Sequence, residues 1–169
     1  MKLKRLATAA LIAAIYAALT YVAAALGICY GPIQFRISEA MCVLAAFTPA
    51  AIPGLTLGCL LGNLVSTLGP IDWACGTLAT LLASMSGYAL RNAKGAVWLI
   101  PLPSVIFNAL IVGAELAVPV LLEGGAFWPM FALNAAWVGL GQAVVCYLLG
   151  VPLYFAIERT PALKRMLTN

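Results

Sequence analysis

Histidine is absent from the 169-residue sequence, and its absence removes several kinds of chemistry. The chain has no serine–histidine or cysteine–histidine pair of the kind that activates a nucleophile. Its five cysteines include no Cys-x-x-Cys pair, which argues against a zinc site. The sequence also lacks the Gly-x-x-x-x-Gly-Lys-Ser/Thr loop of nucleotide hydrolases. We therefore do not expect an enzyme, and we expect no cofactor in this chain.

Charged residues are scarce as well. They make up 8% of the chain and hydrophobic residues 64%, whereas about 25% of an average soluble domain is charged. Such a chain carries too few polar side chains to cover a surface in water, so we expect it to lie in a lipid bilayer. Its length predicts a single domain, 1–169. The basic residues form no continuous face, and nucleic acid is therefore not expected as a partner.

Long apolar segments predict helices that cross the membrane, each of which needs about 20 apolar residues. The clear candidates are Leu6–Ile28, Asp72–Leu90, Ala96–Leu122 and Phe127–Ile157. The first candidate follows a basic start and mimics a secretory signal. Its apolar run is longer than a signal core, so we interpret it as a retained span.

The segment Ser38–Leu68 is ambiguous because Pro49 and Pro53 lie in its middle and proline interrupts helical hydrogen bonding. Two helices here give six spans, with Arg36 alone on one side and the other eight basic residues on the opposite side. One helix gives five spans, with three basic residues inside and six outside. The positive-inside rule favours the first arrangement. We therefore predict an all-α integral membrane protein, a six-helix bundle with both termini in the cytoplasm.

Small residues recur every four positions in two of these segments. In the first span they form two adjacent stripes, Ala9, Ala13 and Ala17 beside Ala10, Ala14 and Ala18. Small residues at this spacing let another helix approach closely. The alanine face suits docking to another membrane protein about as well as packing within the chain. For the similar ladder Gly54, Gly58 and Gly62 we favour packing within the chain.

Polar residues gather in the outer half of the predicted bundle. They are Gln34, Arg36, Glu39, Asp72, Trp73, Asn108, Glu115, Asn134 and Trp137. An acid within a bilayer needs a partner or a wet cavity, and an ion pair of Arg36 with Glu115 would pin the loop to the bundle. Glu39 or Asp72 would alternatively act at a helix N-terminus. The three acids still outnumber Arg36, and surplus acceptors beside tryptophan suit a flat solute rich in N–H donors.

The chain resembles the QueT family over two segments, YGPIQFRISEAMCVLAAFTPAAIPGLTLGCLLGNL and GPIDWACGTLATLLA. Members of this family are substrate-binding S components of energy-coupling factor (ECF) transporters. The similarity runs from about Ala9 to about Leu90, and the remainder matches in span count and length. The resemblance implies a six-helix S component in the bacterial plasma membrane, with a transmembrane T component and two ATPases that use the ATP. It also implies uptake of a queuosine precursor, which is 7-cyano- or 7-aminomethyl-7-deazaguanine or queuine.

The resemblance also implies roles for individual residues. Alanines at four-residue spacing in the first helix of S components contact the T component, and Ala9, Ala13 and Ala17, or Ala10 and Ala14, match that pattern. The family's substrate cavity lies under the loop after the first helix, here Cys29–Ile37. Our hypothesis is that an acid binds the guanine-like edge, amides bind the carbonyl and ring nitrogen, and a tryptophan stacks. The candidate acid is Glu39, Glu115 or Asp72. The candidate amides are Gln34, Asn108 and Asn134, and the candidate tryptophan is Trp73 or Trp137.

Three alternatives remain open at this stage. The first is an S component for a different vitamin or nucleobase, which ligand specificity would distinguish. The second is a stand-alone carrier or channel, which would transport without ATPase partners. The third is a structural or assembly protein, which would show no saturable binding of any solute.

Overall fold

The computed structural model describes residues 2–29 and 34–168, and nearly all of them are helical. The first half contains α1 at Lys2–Ala25, a 3-10 helix at Ile37–Ala46, α2 at Ala51–Asn63 and α3 at Pro70–Leu90. The second half contains α4 at Ala96–Leu122, α5 at Phe127–Arg159 and a short α6 at Pro161–Thr168. The prediction of an all-α chain is confirmed, whereas α6 was not anticipated from the sequence.

Within the described residues, three helices are long and apolar enough to cross a membrane, at Leu3–Ala25, Ala96–Leu122 and Phe127–Arg159. Their outer faces expose large apolar side chains, such as Leu11, Leu110 and Leu148. A soluble monomer rarely exposes apolar patches of this extent, so these faces suit lipid. The 3-10 helix and α2 are apolar but shorter.

The two longest helices each contain a π-helical turn. In α4 it covers Asn108–Val112, and in α5 it covers Cys146–Gly150. A π turn is rare, often marks a functional site, and shifts the helix face that follows it. Both turns begin at a buried residue, Asn108 in α4 and Cys146 in α5.

The glycine ladder of α2 packs directly on α1. A Cβ atom placed on any of these glycines would lie 2.7–2.9 Å from a side chain of α1. The pairs are Gly54 with Ile12, Gly58 with Tyr16, and Gly62 with Thr20. Only glycine permits this approach, so the prediction that the ladder packs within the chain is confirmed. Because residue numbers rise together in these pairs, α1 and α2 run parallel.

The 3-10 helix returns the chain between these two parallel helices. Its Ser38 accepts a hydrogen bond from Thr20, 2.8 Å away, near one end of α1. Its Leu44, six residues later, belongs to the same buried cluster as Ile12, which lies about two turns before Thr20 in α1. The 3-10 helix is therefore antiparallel to α1. The ambiguous segment Ser38–Leu68 thus forms two helices, as the charge pattern predicted.

The remaining helices follow in alternating directions. The Asn63 amide at the end of α2 donates to the Asp72 carbonyl at the start of α3, 3.1 Å away. Gly87 near the end of α3 faces Ile100 near the start of α4, and Gly113 of α4 faces Ala135 of α5. Basic side chains collect at one end of the bundle, which we call the basic end: Lys4, Arg5, Arg91, Lys94, Arg159, Lys164 and Arg165. The opposite end, which we call the acidic end, holds Arg36, Asp72, Glu115 and Glu123.

Candidate binding site

An ion pair between Arg36 and Asp72 joins the loop before the 3-10 helix to the first turn of α3. Arg36 Nη2 lies 3.3 Å from each carboxylate oxygen of Asp72, and both side chains are 2% exposed. Charges this deeply buried require such pairing, because desolvation costs each ion several kcal/mol. Arg36 therefore attaches the loop to the bundle as the sequence indicated, but through Asp72 instead of Glu115.

Gly76 and Asn63 make room for this ion pair and support it. A Cβ atom on Gly76 would lie 2.4 Å from Asn63 Nδ2 and 3.2 Å from Asp72 Oδ1. Asn63 uses its amide to tether α2 to α3 through the Asp72 carbonyl. The amide nitrogen of Asn63 thus serves packing within the chain, whereas its Oδ1 is buried without a hydrogen-bond partner in the described part of the chain.

Glu39 is held by hydroxyl groups from two other helices. Tyr16 of α1 donates its hydroxyl to Oε1, and Ser104 of α4 donates to Oε2 at 2.6 Å. The thiol of Cys146 in α5 contacts the Glu39 backbone carbonyl at 3.6 Å. A buried carboxylate with a donor on each oxygen is satisfied within the protein. In this structure Glu39 braces the helices around it.

Glu115 differs from the other two acids. It is 4% exposed, and among residues 2–29 and 34–168 no group donates a hydrogen bond to either carboxylate oxygen. It lies close enough to Asp72 and Arg36 to interact electrostatically with both. Burying a carboxylate without hydrogen-bond donors costs free energy. Native proteins keep such a group chiefly where a ligand, ion or water supplies the missing hydrogen bonds.

Other buried polar atoms, on α3 and α4, also lack a hydrogen-bond partner among the described residues. Trp73 Nε1 and Thr77 Oγ1 on α3 are buried without a hydrogen-bond partner in the described part of the chain, and so is Asn108 Oδ1 on α4. Trp73 and Thr77 lie four residues apart and therefore share a helix face, and α3 packs against α4. The amide nitrogen of Asn108 already donates to the Ser104 carbonyl at 2.9 Å. These groups leave one indole N–H, one hydroxyl and one amide oxygen open on α3 and α4, and α4 also carries Glu115.

The remaining candidate residues occupy different surroundings. Gln34 is buried at 6% exposure, but residues 30–33 of the expected cavity loop Cys29–Ile37 lie outside the described residues. Asn134 is half-buried on α5. Trp137 is 39% exposed and shares a helix face with the exposed Leu133 and Leu140. This exposure favours Trp73, whose indole nitrogen is buried, over Trp137 as the stacking residue, and the stacking role itself stays a prediction.

Sequence reasoning missed the hydroxyl and amide groups that support the site. They are Tyr16, Thr20, Ser38, Ser104 and Gln142, all at most 2% exposed. The spacing of Tyr16 and Thr20, one turn apart in an otherwise apolar helix, was a usable signal for a polar face. Ser104 and Gln142 are isolated in sequence, and no local pattern marks them.

The two alanine stripes of α1 have opposite environments. Ala9, Ala13 and Ala17 are buried at 5–7% exposure, because α2 covers them. Ala10, Ala14 and Ala18 are exposed. A second protein therefore has access to the stripe Ala10, Ala14 and Ala18, whereas the Ala9 stripe is used within the chain.

These features define a class of protein. Long apolar helices with lipid-compatible outer faces enclose a cluster of polar groups, and one of its acids has no hydrogen-bond donor among residues 2–29 and 34–168. This is the architecture of a multi-pass membrane protein that handles a polar solute.

The comparisons with known proteins identify the class more narrowly. The family model described as QueT transporter matches residues 6–159, and the chain belongs to this family. The family consists of transporters and not of enzymes, as the sequence predicted. The chain is 39% identical over 83 residues to the Queuosine precursor transporter QueT of Lactococcus lactis subsp. cremoris (strain MG1363). That alignment covers 49% of this chain and 48% of the relative, about half of each. No solved structure matches the chain.

Proposed function

We propose that this chain is the substrate-binding S component of an ECF transporter and that it binds a queuosine precursor at the acidic end of the bundle. Membership of the QueT transporter family supports a transport role. The name of the Lactococcus relative supports the choice of solute. The structural observation that carries the proposal is Glu115, whose two buried oxygens have no donor in the described chain.

The chemistry of a 7-deazaguanine fits this carboxylate. The ring N–H and the exocyclic amino group of the base lie side by side, and one carboxylate accepts both in parallel. Asp72 is occupied by Arg36 and Glu39 by two hydroxyls, so Glu115 is the acid left to bind the base edge. The open oxygen of Asn108 accepts a further N–H, and Trp73 offers both an indole N–H and a stacking face.

The proposed orientation in the membrane follows from charge. The six helical segments from α1 to α5 alternate in direction, and seven described basic residues lie at one end. The positive-inside rule places that end in the cytoplasm. The acidic end then faces the outside of the bacterial plasma membrane, where a solute is captured before import.

The proposed partners are an ECF T component and two ATPases. The chain has no nucleotide-binding loop of its own, so ATP is used by those subunits. The exposed stripe Ala10, Ala14 and Ala18 is the smooth surface that suits a neighbouring membrane helix.

Ligand binding is tested by a thermal-shift and calorimetry panel on the purified chain. The panel contains 7-cyano- and 7-aminomethyl-7-deazaguanine, queuine, guanine, riboflavin, thiamine and biotin. We expect saturable binding of at least one deazaguanine and none of the three vitamins. Tight binding of a vitamin would establish an S component of another specificity, and no binding at all would contradict the proposal.

The partner assignment needs a separate experiment. The chain is reconstituted in liposomes with and without the T component and the ATPases, and uptake of labelled ligand is measured. We expect uptake only with the complete set and ATP. Uptake by the chain alone would instead identify a stand-alone carrier.

A further inference from the structure

A groove at the basic end is separate from the polar site. It has a volume of about 370 Å³ and lies between α1, the 3-10 helix, α5 and α6. Its walls include Leu11 and Ile15 of α1, Leu153 and Ile157 of α5, and Leu163 and Met166 of α6. The lining is almost wholly apolar, so the groove suits a hydrocarbon chain.

The length of the groove matches one leaflet of a bilayer. Along α1 its lining extends from Thr8 to Leu19, which is a rise of about 16 Å in an α-helix. The hydrocarbon core of a bilayer is about 30 Å thick, so one leaflet contributes about 15 Å. A single acyl chain that enters from the basic end would therefore fill the groove.

The mouth of the groove is cationic. Lys4 lies one turn before Thr8 on the same face of α1, and its side chain is exposed. Arg165 is exposed on α6 as well, on the side of that helix away from the lining residues Leu163 and Leu167, and it adds positive charge at this end without lining the groove. Among the described residues Glu158 is the one acid at this end, and it is paired with Lys164. The charge at the mouth is thus complementary to an anionic headgroup.

The short helix α6 has the character of an interfacial helix. Its apolar Leu163 and Met166 are 45% and 58% exposed, while Lys164 and Arg165 lie between them in sequence. Helices of this kind lie in the plane of the membrane surface, with the basic face toward anionic lipids. The ion pair of Lys164 with Glu158 at the end of α5 links α6 to the bundle.

We propose that this groove binds one acyl chain of an anionic phospholipid, with Lys4 holding the headgroup. Basic pockets between membrane helices recognise anionic headgroups in this way. The groove and its cations differ from the residues proposed for solute binding, so the lipid site stands whether or not the solute is a deazaguanine.

The test is native mass spectrometry of the full chain with phosphatidylglycerol or phosphatidylcholine of equal chain length. We expect one tightly retained phosphatidylglycerol per chain, bound about tenfold more tightly than phosphatidylcholine. The variant Lys4→Gln should lose this preference. The variant Lys94→Gln is the matched control, because it removes an exposed cation at the same end but away from the groove, and it should keep the preference.

A second variant tests the acyl-chain part of the site. Thr8→Phe places a bulky side chain in the groove and should remove the retained lipid, whereas Leu133→Phe on the outer face of α5 should not. Equal retention of the two lipids would overturn the proposal, and so would retention unaffected by Thr8→Phe. An equal loss in Lys94→Gln and in Lys4→Gln would also overturn it, because the attraction would then be general to the basic end.

Discussion

Three buried acids within one membrane protein have three different environments. Asp72 faces the guanidinium of Arg36, Glu39 accepts two hydroxyl hydrogen bonds, and Glu115 has no donor among the described residues. The surroundings of each carboxylate determine whether it stabilises the fold or remains available to a solute.

Glu115→Gln should weaken deazaguanine binding by about 10- to 100-fold, because a hydrogen bond to a charged acceptor contributes about 1.5–3 kcal/mol. The melting temperature of the ligand-free protein should stay the same or rise, because the substitution removes a buried charge without donors. Calorimetry measures the affinity, and thermal unfolding in detergent measures the stability.

The matched control for this substitution is Glu123→Gln. Glu123 is exposed in the connection between α4 and α5 at the same end of the bundle. Its replacement should leave both affinity and melting temperature unchanged. Equal affinities of Glu115→Gln and the parent chain for every deazaguanine would remove Glu115 from the site.

Asp72→Asn should destabilise the protein by about 3–5 kcal/mol, because it removes one partner of a buried ion pair. The exposed pair of Lys164 with Glu158 supplies the comparison. Glu158→Gln should cost no more than about 1 kcal/mol, since exposed ion pairs are screened by solvent. Thermal unfolding of both variants distinguishes the cases. Similar small losses would mean that the Arg36–Asp72 pair is not a main anchor of the loop.

At the scale of elements, the close contact between α1 and α2 depends on glycine. It brings the two parallel helices together and places the 3-10 helix against both of them. Eight of the ten residues of the 3-10 helix are buried. Any change that separates α1 from α2 therefore also disturbs Tyr16, the donor to Glu39.

Gly58→Ala should cost about 1–3 kcal/mol, the usual penalty for overpacking. The added Cβ would lie 2.7 Å from Tyr16 Cβ and 3.0 Å from the Ala13 carbonyl oxygen. Gly87→Ala in α3 is the control, because its nearest neighbour would be 3.4 Å away. That substitution should be neutral or stabilise by about 0.5–1 kcal/mol, since alanine favours a helix. Equal melting temperatures of the two variants would contradict the importance of this contact.

At the scale of the whole molecule, charge is divided between the two ends of the bundle. If the basic end faces the cytoplasm, the connection near Lys94 is inside the cell and the connection near Glu123 is outside. The variants Lys94→Cys and Glu123→Cys, each combined with Cys75→Ser, test this arrangement. A membrane-impermeant maleimide should label Glu123→Cys in intact cells and Lys94→Cys only after permeabilisation. The reverse pattern would invert the proposed topology.

Much of the fold was predictable because helix formation in a bilayer depends on local properties. Apolar length alone located α1, α4 and α5 to within a few residues at most ends. The split of Ser38–Leu68 followed from the distribution of basic residues. The π turns and α6 were not predictable, because they depend on contacts between helices and not on apolar length.

The burial of the candidate site residues was predictable, but their pairing was not. Acids and amides in an apolar chain stand out, so eight of the nine proposed side chains proved to be buried or half-buried. Their partners lie far away in sequence: Asp72 is 36 residues from Arg36, and Ser104 is 65 residues from Glu39. Trp137 could not be distinguished from Trp73, because the helix face that points inward depends on how α5 packs.

The sequence by itself determined that the chain is an apolar helical membrane protein of the QueT transporter family, because composition and local motifs carry that information directly. Only the tertiary structure decided which acid keeps open oxygens, which alanine stripe is covered and where an apolar groove meets cations. The physical reason is that hydrogen bonds and ion pairs form between atoms a few ångströms apart, and folding brings those atoms together from distant parts of the chain.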